Sequence, residues 1–72
     1  MYIKQIFGKR LADLRNQAGE KRGDLAELLC VSVEQVRLME AGKRTTSFEK
    51  LVLICQHYQV SADYLLGLKE TP

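Results

Sequence analysis

Residues 23–40 limit the possible folds of this chain most strongly, because they contain two short helical patterns separated by a sharp break. In the first pattern, Leu25, Ala26 and Leu29 recur at the spacing of one helix face. Cys30 and the residue after it interrupt that spacing. The pattern therefore predicts a short helix that begins at residue 22 or 23, ends near Leu29 and is followed by a tight turn.

The second pattern begins at Ser32, which stands three residues before Gln35 in the arrangement of a capping box. In a capping box the serine hydroxyl accepts a hydrogen bond from the Gln35 amide, and the Gln35 side chain accepts one from the Ser32 amide. This predicts a helix over residues 33–41 with Val36 and Met39 directed inward. Its outward face is predicted to consist of Val33, Glu34, Arg37, Leu38 and Ala41.

Three further helices are predicted, over residues 3–18, 48–58 and 63–67. The helix over residues 48–58 is apolar on several sides, which predicts that the other helices enclose it. Thr46, paired with Glu49, is its predicted N-cap, and Ser47 is the alternative. The helix over residues 3–18 ends at Gly19 and has one apolar face, which consists of Phe7, Leu11, Leu14 and Ala18.

Together these patterns predict an all-α fold, a compact bundle of about five short helices that includes a helix-turn-helix over residues 23–40. Residues 68–72 are predicted to be a loose tail. A length of 72 residues allows one domain, and an apolar share of 46% suits a compact core. No apolar run approaches the roughly 20 residues that span a bilayer, and the first residues do not resemble a signal peptide. We therefore expect an intracellular protein with no membrane contact.

The two cysteines and the single histidine do not indicate a metal site or a disulfide. Cys30 and Cys55 both lie within apolar patterns, so each is predicted to be a small buried hydrophobic residue. His57 has no second histidine or cysteine pair at zinc-binding spacing. We expect neither a metal nor a cofactor.

Positive charge lies on both sides of the central helix pair. Residues 1–22 carry a formal charge of +4 and residues 43–50 carry +2, whereas residues 23–42 carry −3. This distribution is compatible with a polyanion held at its edges, and equally with the ordinary surface charge of a soluble protein.

The ordered series of motifs resembles the Cro and C1-repressor type of helix-turn-helix DNA-binding domain, the XRE-like family. The resemblance covers residues 7–67 and implies a lambda-repressor-like fold. The residues that carry it are Gly8-Lys-Arg-Leu11, Leu14-Arg15, Asp24-Leu-Ala-Glu-Leu-Leu29, Val31-Ser32, Val36, Glu40, Gly42-Lys-Arg44, Glu49-Lys-Leu51 and Val60-Ser-Ala-Asp-Tyr-Leu-Leu-Gly67.

The resemblance also implies roles for particular residues. Arg15 and Glu40 would form a partly buried ion pair between the first and third helices. In the family the second helix of the motif lies in the DNA major groove, and the first crosses the backbone. The residues implied to face the bases are Val33, Glu34, Arg37 and Leu38. The residues implied to face phosphates are Lys21, Arg22, Lys43 and Arg44.

Several positions depart from the family pattern and leave alternatives open. Cys30 stands where glycine is usual, so either it adopts a left-handed conformation or the turn differs. Glu20 replaces an apolar residue. Glu34 is interpreted either as a base contact or as a complement to the helix dipole. Val33 and Leu38 are interpreted either as thymine contacts or as contacts to a protein partner.

We therefore predict a sequence-specific DNA-binding transcriptional regulator, a repressor that acts as a homodimer in the cytoplasm on a bacterial or phage genome. The alternative is a helix-turn-helix fold used as a protein-interaction module. An enzyme is not predicted, because no nucleophile–base pair, metal spacing or phosphate loop is present. No small-molecule ligand is implied.

Overall fold

The computed structural model describes residues 2–72, which form a bundle of five α-helices. The helices are α1 (Ile3–Gln17), α2 (Arg22–Leu29), α3 (Val33–Glu40), α4 (Phe48–Tyr58) and α5 (Ala62–Leu65). No strand occurs within residues 2–72. The all-α prediction is confirmed, and each predicted helix lies within a few residues of its expected position. None of the helices described is long and apolar enough to cross a membrane.

The turn between α2 and α3 has the geometry that the capping pattern predicts. Ser32 Oγ accepts a hydrogen bond from the Gln35 amide at 3.1 Å, and the Ser32 amide donates to Gln35 Oε1 at 3.3 Å. Cys30 adopts the left-handed conformation, with a φ of 56°. A side chain with a Cβ costs roughly 1 kcal/mol in this region, so the turn retains the geometry of a glycine at the expense of some stability.

The core lies where α1, α2 and α3 meet, with contributions from α4 and α5. Ten apolar side chains are buried: Phe7, Leu11, Leu14, Leu25, Ala26, Leu29, Val36, Met39, Ile54 and Leu65. Of the predicted apolar face of α1, Phe7, Leu11 and Leu14 are buried, but Ala18 is exposed because it lies beyond the last turn of the helix. Cys30 is also exposed, because its left-handed turn lies on the surface, so its predicted burial is wrong.

The prediction that α4 is enclosed by the other helices is wrong. Ile54 is the one residue of α4 that is buried, and it is fully so. Phe48, Val52 and Leu53 are exposed. A domain of this size has few elements to cover a helix, and α4 packs only one side against α2 and α5. Its N-cap is Ser47, which accepts from the Lys50 amide at 3.3 Å, rather than Thr46.

The C-terminal segment, residues 68–72, returns to the domain instead of forming a loose tail. The Ser61 amide donates to the carbonyl of Pro72 at 3.1 Å. The Arg10 guanidinium donates to the carbonyl of Lys69 at 2.7 Å and lies 4.4 Å from the centre of the Tyr64 ring. Arg10 therefore connects α1 to α5 and to the chain that follows α5.

The backbones of α1 and α3 approach each other directly at Gly8. A Cβ built on Gly8 would lie 2.3 Å from the Met39 carbonyl oxygen and 2.9 Å from that of Glu40. Real Cβ atoms are not found this close to backbone atoms. The C-terminal end of α3 is therefore seated against α1 at a position that only glycine fits.

We expect Gly8→Ala to lower the free energy of unfolding by about 2 kcal/mol or more, because the added methyl group would separate α1 from α3. Gly23→Ala is the matched control, since a Cβ on Gly23 meets nothing within 4 Å. In α2 the better helix propensity of alanine should raise the free energy of unfolding by about 0.5 kcal/mol. Urea unfolding followed by circular dichroism measures both values. Equal effects of the two substitutions would contradict this account of Gly8.

Candidate nucleic-acid interface

The outer face of α3, here the four residues Val33, Glu34, Arg37 and Leu38, is directed away from the core. Val33 is 51% exposed, Glu34 and Arg37 are exposed, and Leu38 is half-buried. The inward residues Val36 and Met39 are buried. The structure thus places the four residues implied to face bases together on one accessible surface.

Two residues of this outer face form an ion pair with each other. Arg37 Nε donates to Glu34 Oε1 at 2.8 Å, and Arg37 Nη2 donates to Glu34 Oε2 at 2.5 Å. The hydrogen bond from Arg37 lowers the pKa of the Glu34 carboxyl, and the same bond raises the pKa of Arg37. The centre of the outer face therefore carries paired charges of opposite sign, with apolar side chains beside them.

The C-terminal end of α3 is held by a carboxylate that two arginines share. Glu40 Oε2 accepts from Arg15 Nε at 2.6 Å, and Glu40 Oε1 accepts from Arg15 Nη2 at 3.1 Å and from Arg22 Nε at 2.9 Å. The side chains of Glu40 and Arg15 are 3% and 11% exposed, whereas that of Arg22 is 46% exposed. The hydrogen bond from Arg15 to Glu40 raises the pKa of Arg15, although burial opposes this shift. Arg22 at the start of α2 is therefore directed by an interaction with α3.

Basic side chains lie near the C-terminal end of α3, where the start of α2 is joined to Glu40 through Arg22. Lys21 precedes α2, while Lys43 and Arg44 follow α3, and all three are exposed. Arg44 and Lys50 line one cleft of about 320 Å³ between α3 and the start of α4. Lys43 shares a second depression with Lys4 of α1.

The positions of Lys4 and Lys50 beside Lys43 and Arg44 could not be predicted from the sequence, because the order of charges along the chain does not show which of them lie close in space. Lys4 is brought there by the close approach of Gly42 to its neighbour Gln5. A Cβ on Gly42 would lie 3.1 Å from the Cα atom of Gln5. That contact brings the first turn of α1 beside the loop after α3.

The turn before α2 contains a second polar cluster, which accounts for Glu20. Tyr58 Oη donates to Glu20 Oε1 at 2.6 Å, and His57 Nε2 lies 2.6 Å from Glu20 Oε2. Arg15 Nη1 also donates to the Glu20 carbonyl at 2.7 Å. Glu20 therefore connects the turn to the C-terminal end of α4 through polar rather than apolar contacts.

Comparisons with known proteins agree with this geometry. A family model described as a helix-turn-helix domain matches residues 6–65. The chain is 31% identical to the HTH-type transcriptional regulator YobD of Bacillus subtilis over 93% of its length, and 34% identical to the HTH-type transcriptional regulator ImmR of the same organism over 89%. It covers 60% and 50% of these two relatives.

A solved structure of a transcriptional regulator from Listeria innocua has a similar fold. The TM-score is 0.81 at 31% identity, and the match covers 85% of this chain and 57% of the other. The chain thus spans between 50% and 60% of the length of this neighbour and of the two relatives.

We expect Glu40→Ala to lower the free energy of unfolding by about 3 kcal/mol, because it leaves the Arg15 guanidinium buried without its partner. The double substitution Arg15→Met with Glu40→Leu should lower the free energy of unfolding by less than the sum of the effects of Arg15→Met alone and Glu40→Leu alone. Asp13→Ala is the control, since it breaks the exposed pair between Lys9 and Asp13 and should cost about 0.5 kcal/mol or less. Additive costs in urea unfolding would contradict the coupling of Arg15 to Glu40.

We also expect the Glu20 cluster to make stability dependent on pH. Burial raises the pKa of Glu20, but the hydrogen bonds from Tyr58 and His57 together lower it by more than burial raises it. The pKa of Glu20 in the folded state therefore lies below the ordinary 4.5. A carboxyl with a lowered pKa stabilises the fold above its unfolded pKa and loses that effect as the pH falls through the folded pKa. The free energy of unfolding should therefore fall less between about pH 5 and pH 3 in Glu20→Gln than in the wild type. Glu27→Gln, which removes an exposed carboxyl, is the control, and identical pH profiles of wild type and Glu20→Gln would refute the prediction.

Proposed function

The chain belongs to the XRE-like helix-turn-helix family, and on that premise we propose that it is a sequence-specific DNA-binding transcriptional regulator, a repressor that uses α3 in the major groove. The observation that carries the proposal is the outer face of α3, which projects four side chains away from the core and has basic residues near the C-terminal end of the helix. A major groove about 12 Å wide admits one helix.

The outer face of α3 supplies the base contacts in this proposal. Arg37 pairs with a guanine, and the apolar side chains of the exposed Val33 and the half-buried Leu38 pack on thymine methyl groups. Glu34 faces the bases beside Arg37. Because the Ser32 capping box sets where α3 begins, these side chains occupy defined positions along the groove.

The flanking cations supply the phosphate contacts. Lys21 and Arg22 lie at the start of α2, where the helix dipole also favours a phosphate. Lys43 and Arg44 contact DNA phosphates beyond the end of α3, and Lys4 and Lys50 lie beside them. Phosphate contacts set the position and affinity of the complex, and base contacts set its preference.

We further propose that two copies bind one two-fold operator in the cytoplasm of a bacterium, on its own or a phage genome. A domain of this size makes few base contacts, and two α3 helices about one DNA turn apart double them. The exposed apolar side chains of Leu53 and Leu68 support a contact between copies, and Leu66 is half-buried. Ile54 of α4 is fully buried and does not contribute to such a contact.

The proposal predicts tight binding to a preferred duplex selected from genomic fragments, with an affinity that falls steeply with salt. Replacing Lys43 by glutamine should reduce the slope of log K against log salt by about one per bound chain, and so by about two for the complex of two copies, because each phosphate contact releases roughly one counterion. Lys69→Gln, in the segment after α5, is the control and should leave the slope unchanged. Fluorescence anisotropy measures the slope, and the same titration gives the number of chains per duplex.

Equal affinity for the selected duplex and for a scrambled duplex of the same composition would overturn the proposal. The absence of salt-dependent DNA binding, together with a protein partner bound at a fixed stoichiometry, would support the protein-interaction alternative instead. The apolar side chain of Val33, half exposed on α3, is the feature that such a partner would contact.

A further inference from the structure

The ion pair on α3 leaves one edge of the Arg37 guanidinium open. Glu34 takes the side formed by Nε and Nη2, with both carboxylate oxygens engaged at 2.8 and 2.5 Å. Within residues 2–72 the hydrogen bonds of the Arg37 side chain run to Glu34 alone. The adjoining edge, formed by Nη1 and the outer N–H of Nη2, makes no hydrogen bond within residues 2–72, and the side chain as a whole is 47% exposed.

We propose that Glu34 is a positioning residue, which holds Arg37 so that its open edge reads a guanine in the major groove. This inference rests on the proposed function and assigns the specificity within it. The residue that selects the base is Arg37, and Glu34 acts through it rather than by contacting a base itself.

The chemistry of the two edges supports this division. Guanine presents two acceptors, O6 and N7, on its major-groove edge, and a guanidinium meets them with two parallel N–H donors. The open edge of Arg37 has this geometry while Glu34 occupies the other edge. A cytosine amino group offers a donor to a carboxylate, but both oxygens of Glu34 already accept from Arg37. A direct cytosine contact would therefore compete with the ion pair.

The backbone of α3 makes the arrangement stable in position. The two residues are three apart, so their side chains lie on the same helix surface. The capping box between Ser32 and Gln35 sets the first turn, which contains Glu34. A free arginine side chain loses much rotational freedom when it binds, and the ion pair restricts that freedom before the DNA arrives.

The opposing interpretation is that Glu34 is only a negative charge near DNA. A carboxylate that merely repels phosphates lowers the affinity for every duplex by the same factor. Removing it would then strengthen all binding and leave the base preference unchanged. The two interpretations therefore differ in base preference, which is a quantity that fold stability does not affect.

The test is selection from a pool of duplexes with a randomised central segment, followed by anisotropy titration of single base-pair variants of the selected duplex. The wild type should require a G·C pair at one position in each half-site, with roughly tenfold weaker binding when that pair is replaced. Glu34→Gln should reduce that discrimination severalfold at this position and leave the other positions unchanged. Arg37→Lys, which keeps the charge but lacks the two-donor edge, should abolish it.

A double-mutant cycle completes the assignment. If Glu34 acts through Arg37, then Glu34→Gln should change the discrimination only while Arg37 is present, and a residual preference in Arg37→Lys that Glu34→Gln removes would contradict this assignment. Glu27→Gln is the charge-matched control on α2, and it should leave the preference intact. Because Glu34 and Arg37 are exposed, circular dichroism should show the wild-type helix content in each variant.

Two outcomes would overturn the inference and are distinguishable from failure of the proposed function. If Glu34→Gln binds every duplex more tightly with an unchanged preference, Glu34 only repels DNA. If the preference lost in Arg37→Lys is for a pair other than G·C, Arg37 does not read guanine. In both cases the wild type still selects a sequence. A wild type that selects no sequence refutes the proposed function itself, and this inference with it.

Discussion

The carboxylate of Glu40 connects three elements of the fold at one point. It is almost fully buried at the end of α3, and it accepts hydrogen bonds from Arg15 of α1 and Arg22 of α2. Two turns before Arg15, the Gly8 backbone lies against the carbonyl groups at the same end of α3. The close backbone contact sets the distance between α1 and α3, and the ion pair sets their register. The direction in which α3 presents its outer face depends on both.

Helix boundaries could be predicted from the sequence because local hydrogen bonds set them. The exchange between Ser32 and Gln35 involves residues three apart, so the spacing alone indicates it. Gly19 and Gly42 follow α1 and α3 with φ values of 71° and 77°, in the conformation expected after a helix. The sequence does not decide whether Thr46 or Ser47 is the N-cap of α4, because both residue types are good N-caps and only the path of the preceding loop decides between them.

The burial of α4 and the pairing of the candidate site residues could not be predicted in the same way. An apolar residue count along α4 does not show how many neighbours exist to cover it, and here only the side with Ile54 is covered. The outward direction of the α3 face followed from its capped start. The engagement of Arg22 with Glu40 depended on tertiary contacts between residues 18 positions apart. Spacing within α3 placed Glu34 and Arg37 on one surface but did not show that they pair.

The distribution of charge around α3 would separate the affinity for DNA from the preference for particular bases in the proposed complex. The opposite charges of Glu34 and Arg37 cancel each other, so the centre of the outer face contributes little long-range attraction to a polyanion. At the start of α2 the Asp24 carboxylate accepts from the Lys21 amide, and beside it the carboxylate of Glu40 is shared between two guanidinium groups, so that Arg15, Arg22 and Glu40 together carry a net charge of +1. The helix dipole adds to that charge. In the proposed complex, attraction to phosphates would therefore come from the basic residues outside this centre and be insensitive to base sequence, and the neutral centre would discriminate between bases only by short-range fit.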